Sequence, residues 1–189
     1  MFLAANNTKY FSYHFVYNLL FYFISMNRIV YTALKYEGAS AVRYRTPDTG
    51  NKPEGFDCSG FFQWVLLESG IFVPMVPTTQ RILRHSEEYF DFLGFLVHEP
   101  FRQPGDAIFF SKNGYRPSHV GIYVGEGNMI HSPGRDDTNV CVCPVDALCG
   151  KDYIKFDSKK GYPQIYSTNP IGYKRVALPS LNRRFQIVP

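Results

Sequence analysis

The sequence predicts an α+β domain in which N-terminal helices pack on one face of an antiparallel sheet. Apolar residues at helical steps are confined to the first half, and short β-type runs bounded by Gly and Pro fill the second. With 189 residues and 45% hydrophobic content, the chain suits one compact domain that buries a core without staples.

The helical half comes first. Asn27 to Tyr36 carries Ile29, Val30, Ala33 and Leu34 at helical steps, and Gly38 is placed to end it. Arg45 to Gly55 concentrates Pro, Gly, Asp and Asn and reads as an exposed loop. From Cys58 to Ser69, Phe62, Val65, Leu66 and Ser69 recur at three- and four-residue steps, with Asp57 as N-cap and Gly70 as the stop. A third helix is expected over Thr78 to Phe90, capped by Thr78 or Thr79 after the Pro74 and Pro77 breaks. Ala107 to Phe110, His119 to Val124 and Asn128 to His131 then read as a meander of strands. Val140 to Cys143 and Ile171 to Val176 are candidates for further strands, while Lys151 to Pro170 has no assignable pattern.

Residues 1–25 differ in composition from the rest, which sets the expected domain at 26–189. The apolar stretch Phe11 to Ile24 is interrupted by Ser12, His14 and Asn18 and is shorter than the roughly 20 residues a bilayer span requires. No integral membrane span is therefore expected. Its length suits a signal-peptide core preceded by Lys9, yet Ser25-Met26-Asn27 is a poor cleavage site. A start at Met26 is the third reading, and localisation stays open between them. The net charge of +4 comes from scattered basic residues, a mild attraction to anionic polymers and not a nucleic-acid footprint. Cys141, Cys143 and Cys149 match no common zinc spacing and are expected as reduced structural thiols.

Cys58 sits where a capped helix begins, near unpaired N–H groups that favour a thiolate. A lone cysteine in such a place is more often a small buried hydrophobe. Two histidines change the weighing. Alternation along His119 to Val124 puts Val120, Ile122 and Val124 on the core face, with His119, Gly121 and Tyr123 on the other. A three-residue loop Gly125-Glu126-Gly127 would pair Gly121 with His131, leaving the two histidines diagonal at a Cα separation of roughly 7 to 8 Å. A two-residue turn would flip His131 to the Ile122 face. The alternative is one histidine on a strand surface and another in a turn. Thiol, imidazole and an orienting partner are what nucleophilic acyl transfer requires.

Phe56-Asp57-Cys58-Ser59-Gly60-Phe61, Pro104 to Phe110 (PGDAIFF), Ser118 to Gly125 (SHVGIYVG) and Met129-Ile130-His131-Ser132 resemble, in order and spacing, the signature segments of the NlpC/P60 cysteine peptidases. Val76-Pro77-Thr78-Thr79-Gln80 resembles that family's Pro-x-Thr segment more loosely. The resemblance implies a papain-like fold and hydrolysis of amide bonds in peptidoglycan stem peptides, commonly next to γ-D-glutamyl and diamino-acid residues, without metal or organic cofactor. It makes Cys58 the nucleophile, His119 the base and His131 the third polar residue. Tyr44 resembles a tyrosine whose hydroxyl lies beside the nucleophile and assists the oxyanion, while Asp57 and Ser59 correspond to contacts with the free amine of a trimmed stem peptide. Thr46 to Gly50 replaces the Gly-Gly turn frequent in relatives, which changes one wall of the cleft. An N-acetylmuramoyl-L-alanine amidase and a catalytically inactive wall-binding module are the other readings. A related acyltransferase branch usually places histidine before cysteine; here cysteine comes first. Asp136 and Asp137 are an alternative orienting carboxylate, though adjacent acids usually occupy solvated turns, and Arg135 is read as a surface residue.

Overall fold

A computed structural model describes residues 28–111, 115–148 and 170–176. The N-terminal tract, Cys149 and the unassigned stretch from Lys151 to Asn169 lie outside them. Residues 28–34 form helix α1, and Gly38, at φ 86°, turns the chain away from it. Short strands β1 (Ser40–Ala41), β2 (Asn51–Lys52) and β3 (Gly55–Phe56) lead into α2 (Cys58–Glu68), then α3 (Ser86–Phe92). Strands β4 (Phe95–Val97), β5 (Ala107–Phe110), β6 (His119–Gly125), β7 (Asn128–His131), β8 (Thr138–Asn139), β9 (Cys141–Pro144) and β10 (Gly172–Arg175) follow.

Two sheets result. The smaller has the order β2-β3-β1-β8, with β1 and β3 parallel. The larger has the order β4-β10-β5-β6-β7-β9 and is antiparallel throughout. It is therefore an interrupted meander, because β10 enters between β4 and β5. Asp106 explains that placement: its buried carboxylate takes the Gln103 N–H at 2.7 Å and both arms of Arg175 at 2.8 and 2.9 Å. The aspartate of the PGDAIFF segment is thus a clamp joining the C-terminal strand to the sheet.

Asp57 caps α2 by accepting the Gly60 N–H at 2.8 Å, as expected, and Gly70 stops the helix at φ 71°. Phe61, Phe62, Val65 and Leu66 face Phe56, Leu83, Tyr89, Phe109, Val120, Ile122 and Ile130 in the main core. Each such side chain contributes about 1.5–3 kcal/mol on full burial. Ile108, Phe110, Tyr123, Met129, Val145 and Tyr173 form a second cluster, so β5 is buried on both faces by alternate residues.

The expected helix over Thr78 to Phe90 is corrected. Gln80 stands at φ 57°, which no helix continues through, and Met75 bridges Ile82 across a tight turn. The helix starts only at Ser86, because the Glu88 carboxylate takes the N–H groups of Arg84 and His85 at 2.8 and 3.1 Å and pairs with Arg81. Burial alone would raise the Glu88 pKa, yet Arg81 and those two N–H groups outweigh it and hold the carboxylate below its ordinary value. No helix among the described residues is long and apolar enough to cross a membrane.

Candidate active site

The β6–β7 hairpin reaches the expected register by a different turn. Glu126 and Gly127 have φ of 50° and 75°, the signs a two-residue type I′ turn needs, and Gly125 pairs with Asn128. A bulge between Tyr123 and Gly125 absorbs the residue that a three-residue loop would have held. Tyr123 therefore still faces Met129, and Ile122 faces Ile130. The next step along the ladder sets Gly121 beside His131, where a Cβ on Gly121 would stand 3.4 Å from the His131 Cβ. Two-residue turn and unflipped histidine coexist because the bulge restores the phase.

His119 and His131 are each 2% exposed, and the Nε2 of His119 lies 2.9 Å from the Nδ1 of His131. Their rings stand edge to face at 86°, with centroids 4.9 Å apart. Nε2 of His119 is thus engaged by His131. The Ser132 hydroxyl donates to the Phe56 carbonyl, tying the end of β7 to the residue that precedes Asp57.

Helix α2 packs against β6, the strand that His119 opens. Cys58 opens α2, and the Val120 N–H, the Ser86 hydroxyl and the Ser59 N–H act on its thiol. These donors favour the thiolate, as the helix start predicts. They do not prevail: burial, and next the Asp57 carboxylate, raise the Cys58 pKa above the ordinary thiol value. The helix start therefore does not by itself bring the thiol below its ordinary value.

The floor of the site is an ion pair. Arg84, 2% exposed, donates to both carboxylate oxygens of Asp57 and at 2.8 Å to the Ser59 hydroxyl. Its remaining donors reach the Pro47 carbonyl at 3.0 Å and the Thr49 carbonyl at 2.5 Å. Asp57 and Ser59 are accordingly held together, their polar atoms occupied from below. Tyr44 is 38% exposed, edge-on to His85 at 5.2 Å and 5.3 Å from the Arg84 guanidinium carbon. Asp136 accepts the Arg43 N–H at 3.1 Å and pairs with Arg45, bracketing Tyr44 and leaving that carboxylate to no histidine. Arg135 contributes its carbonyl to the Thr138 hydroxyl.

The loop before α2 packs without a gap. A Cβ on Gly60 would fall 1.9 Å from the Gly50 carbonyl oxygen and 2.9 Å from the Asn51 Cα. That carbonyl accepts the Asp57 N–H at 2.8 Å. Gly60→Ala is therefore expected to push the loop off α2 and cost about 1–3 kcal/mol, read as a lower urea midpoint at unchanged slope. An unchanged midpoint would contradict this packing.

Sequence reasoning missed Arg84, Ser86 and Cys141. Arg84 carries no motif, and Ser86 falls in the middle of the expected Thr78 to Phe90 helix and not at the helix start where the structure has it. Cys141 faces His131 across the β7–β9 ladder, with its sulfur 3.7 Å from the His131 Nε2. Strand pairing alone exposes that contact. Among the described residues no group of three or more His, Cys, Asp or Glu is arranged to hold a metal ion.

Comparison with known proteins gives relatives that match part of this chain. Over 83 residues the chain is 41% identical to a probable endopeptidase p60 of Listeria seeligeri, covering 44% of this chain and 14% of that protein. Over 99 residues it is 36% identical to a γ-D-glutamyl-L-lysine dipeptidyl-peptidase of Bacillus cereus, covering 51% of this chain and 26% of that one. The match thus spans between about a seventh and a quarter of those relatives' length. A crystal structure of an NlpC/P60 family protein from Bacillus cereus superposes with a TM-score of 0.56 at 29% identity, over 82% of this chain and 40% of that one. NlpC1 from Trichomonas vaginalis, at 23% identity and a TM-score of 0.51, shares the fold. The NlpC/P60 family model matches residues 43–154, which take in Cys58, His119 and His131, and the chain belongs to that family.

Proposed function

We propose that this chain is a cysteine peptidase that hydrolyses amide bonds in bacterial cell-wall stem peptides, next to γ-D-glutamyl and diamino-acid residues. The observation that carries the reading is the 2.9 Å bond between two buried histidines on the β6–β7 hairpin, against which Cys58's helix packs. The names of the Listeria and Bacillus relatives, endopeptidase and γ-D-glutamyl-L-lysine dipeptidyl-peptidase, support the substrate class.

In this reading the Cys58 thiol gives its proton to His119 Nδ1 and the thiolate attacks the scissile carbonyl. The oxyanion that forms is met by the Cys58 backbone N–H and the Tyr44 hydroxyl. As the tetrahedral centre collapses, His119 returns the proton to the departing amine and a thioester remains on Cys58. Water then gives a proton to His119 and attacks the thioester, freeing the carboxylic acid and restoring the thiol. His131 keeps the His119 ring oriented through both halves. Every proton is accounted for by side chains and water, so the cycle calls for no metal or organic cofactor. Asp57 and Ser59 form the amine-side wall. Because Arg84 already balances the Asp57 charge, a substrate ammonium would join a neutralised carboxylate.

Purified peptidoglycan and its soluble muropeptides, digested by the chain and analysed by mass spectrometry, test the reading. New fragments ending at γ-D-glutamyl, abolished by prior treatment with iodoacetamide, are expected. Intact stem peptides freed from sugar would overturn it in favour of the amidase. No product, with Cys58 inert to iodoacetamide at neutral pH, would overturn it in favour of a binding module.

A further inference from the structure

The two-histidine unit does not end at His131. The Nε2 of His131 faces the Cys141 sulfur at 3.7 Å, a hydrogen-bonding separation for sulfur. The contact is built into the sheet, because His131 pairs with Cys141 and Met129 with Cys143 along the β7–β9 ladder. Residues two apart on a strand share a face, so both thiols lie on the histidine side of β9. Both are free and partly exposed. Cys141 is therefore no filler of the apolar core, and neither cluster of buried residues includes it.

We propose that Cys141 is a positioning residue for the Cys58–His119 couple, accepting the His131 Nε2–H and so fixing the tautomer whose bare Nδ1 receives His119. The inference rests on the peptidase reading of Cys58 and His119. Its logic is one of donors and acceptors. When Cys58 passes its proton to His119 Nδ1, the imidazolium carries a hydrogen on Nε2 as well. That hydrogen points at His131 Nδ1, which can accept it only if the neutral His131 ring holds its own proton on Nε2. Something must favour that tautomer, and the group at the far nitrogen is the Cys141 sulfur. Cys143 and then His131 draw Cys141 toward the thiolate, while the Cys143 thiol beside it is held protonated. A hydrogen bond to an ionised acceptor is about twice as strong as a neutral one.

Cys141→Ala removes the acceptor, whereas Cys141→Ser keeps one of similar size. Long-range proton–nitrogen NMR of histidine-labelled full-length protein reads the His131 tautomer directly, and alkylation of Cys58 followed by peptide mass spectrometry reads the couple. The wild type and Cys141→Ser are expected to hold His131 as the Nε2–H form. Cys141→Ala is expected to shift His131 toward Nδ1–H and to slow Cys58 alkylation at neutral pH, with kcat on muropeptides down about tenfold at unchanged KM. A His131 that stays Nε2–H in Cys141→Ala, or a Cys141→Ser as impaired as Cys141→Ala, would overturn the proposal. The tautomer and the alkylation rate need no substrate. A chain that cleaves no muropeptide therefore counts against the peptidase reading alone, and an unmoved tautomer against this inference alone.

Discussion

Cys58→Ala is expected to bring muropeptide cleavage down to background, and His119→Ala to lower kcat by about 10²–10⁴-fold. In the proposed mechanism the first variant deletes the atom that carries the acyl group. The second leaves the sulfur in place but removes its proton acceptor, and the surroundings of Cys58 make that loss severe. Burial and the Asp57 carboxylate hold the thiol protonated beyond the ordinary range, against the pull of the Val120 and Ser59 N–H groups and the Ser86 hydroxyl. With no imidazole to take the proton, the thiolate fraction at neutral pH becomes small. It grows as pH rises, since a raised pKa moves ionisation to the alkaline side. Alkylation of Cys58 by iodoacetamide separates the two roles. The wild type is expected to react at neutral pH through the thiolate–imidazolium pair, while His119→Ala reacts slowly there and accelerates only at alkaline pH. Equal neutral-pH rates in the two proteins would show that the helix start ionises Cys58 unaided and that His119 has another task.

How far the sequence reaches depends on the range of the interaction involved. The α2 start was legible because an N-cap is local: Asp57 and Gly60 lie three residues apart, and the bond between them forms as read. The histidine pair was legible because a hairpin is nearly local, and alternation fixed which faces meet even though the turn differs in length. The failures are of two kinds, the first local and the others long-range. The helix expected from Thr78 begins eight residues later, since Gln80 turns left-handed and Glu88 caps from within the helix it starts. The placement of β10 depends on Arg175 reaching Asp106, 69 residues away in sequence. The Arg84–Asp57 pair spans 27 residues and leaves no periodic trace. Contacts between distant single residues carry no spacing signal, and these set the floor of the site, the sheet order and the far end of the histidine relay.

Arg84→Met is expected to destabilise the fold by about 3–5 kcal/mol, since it strands a carboxylate that is fully buried. The guanidinium satisfies Asp57 with two parallel bonds and also the Ser59 hydroxyl and the carbonyls of Pro47 and Thr49. Methionine fills similar volume and serves none of them. Lysine keeps the charge but offers one nitrogen where a planar fork is needed, so Arg84→Lys should recover only part of the loss. The double variant Arg84→Met with Asp57→Asn separates charge from structure. Asparagine still caps the Gly60 N–H, and no unpaired carboxylate remains, so urea midpoints are expected to rank the double variant above Arg84→Met alone. A single variant within about 1 kcal/mol of the wild type would mean that water reaches Asp57 and screens it. The same pair joins the loop at residues 46–50 to the first turn of α2, and Cys58 is the first residue of that turn. Stability and reactivity are consequently expected to fall together in Arg84→Met, with Cys58 alkylation slowing as the Asp57 charge, no longer balanced, acts on the neighbouring sulfur.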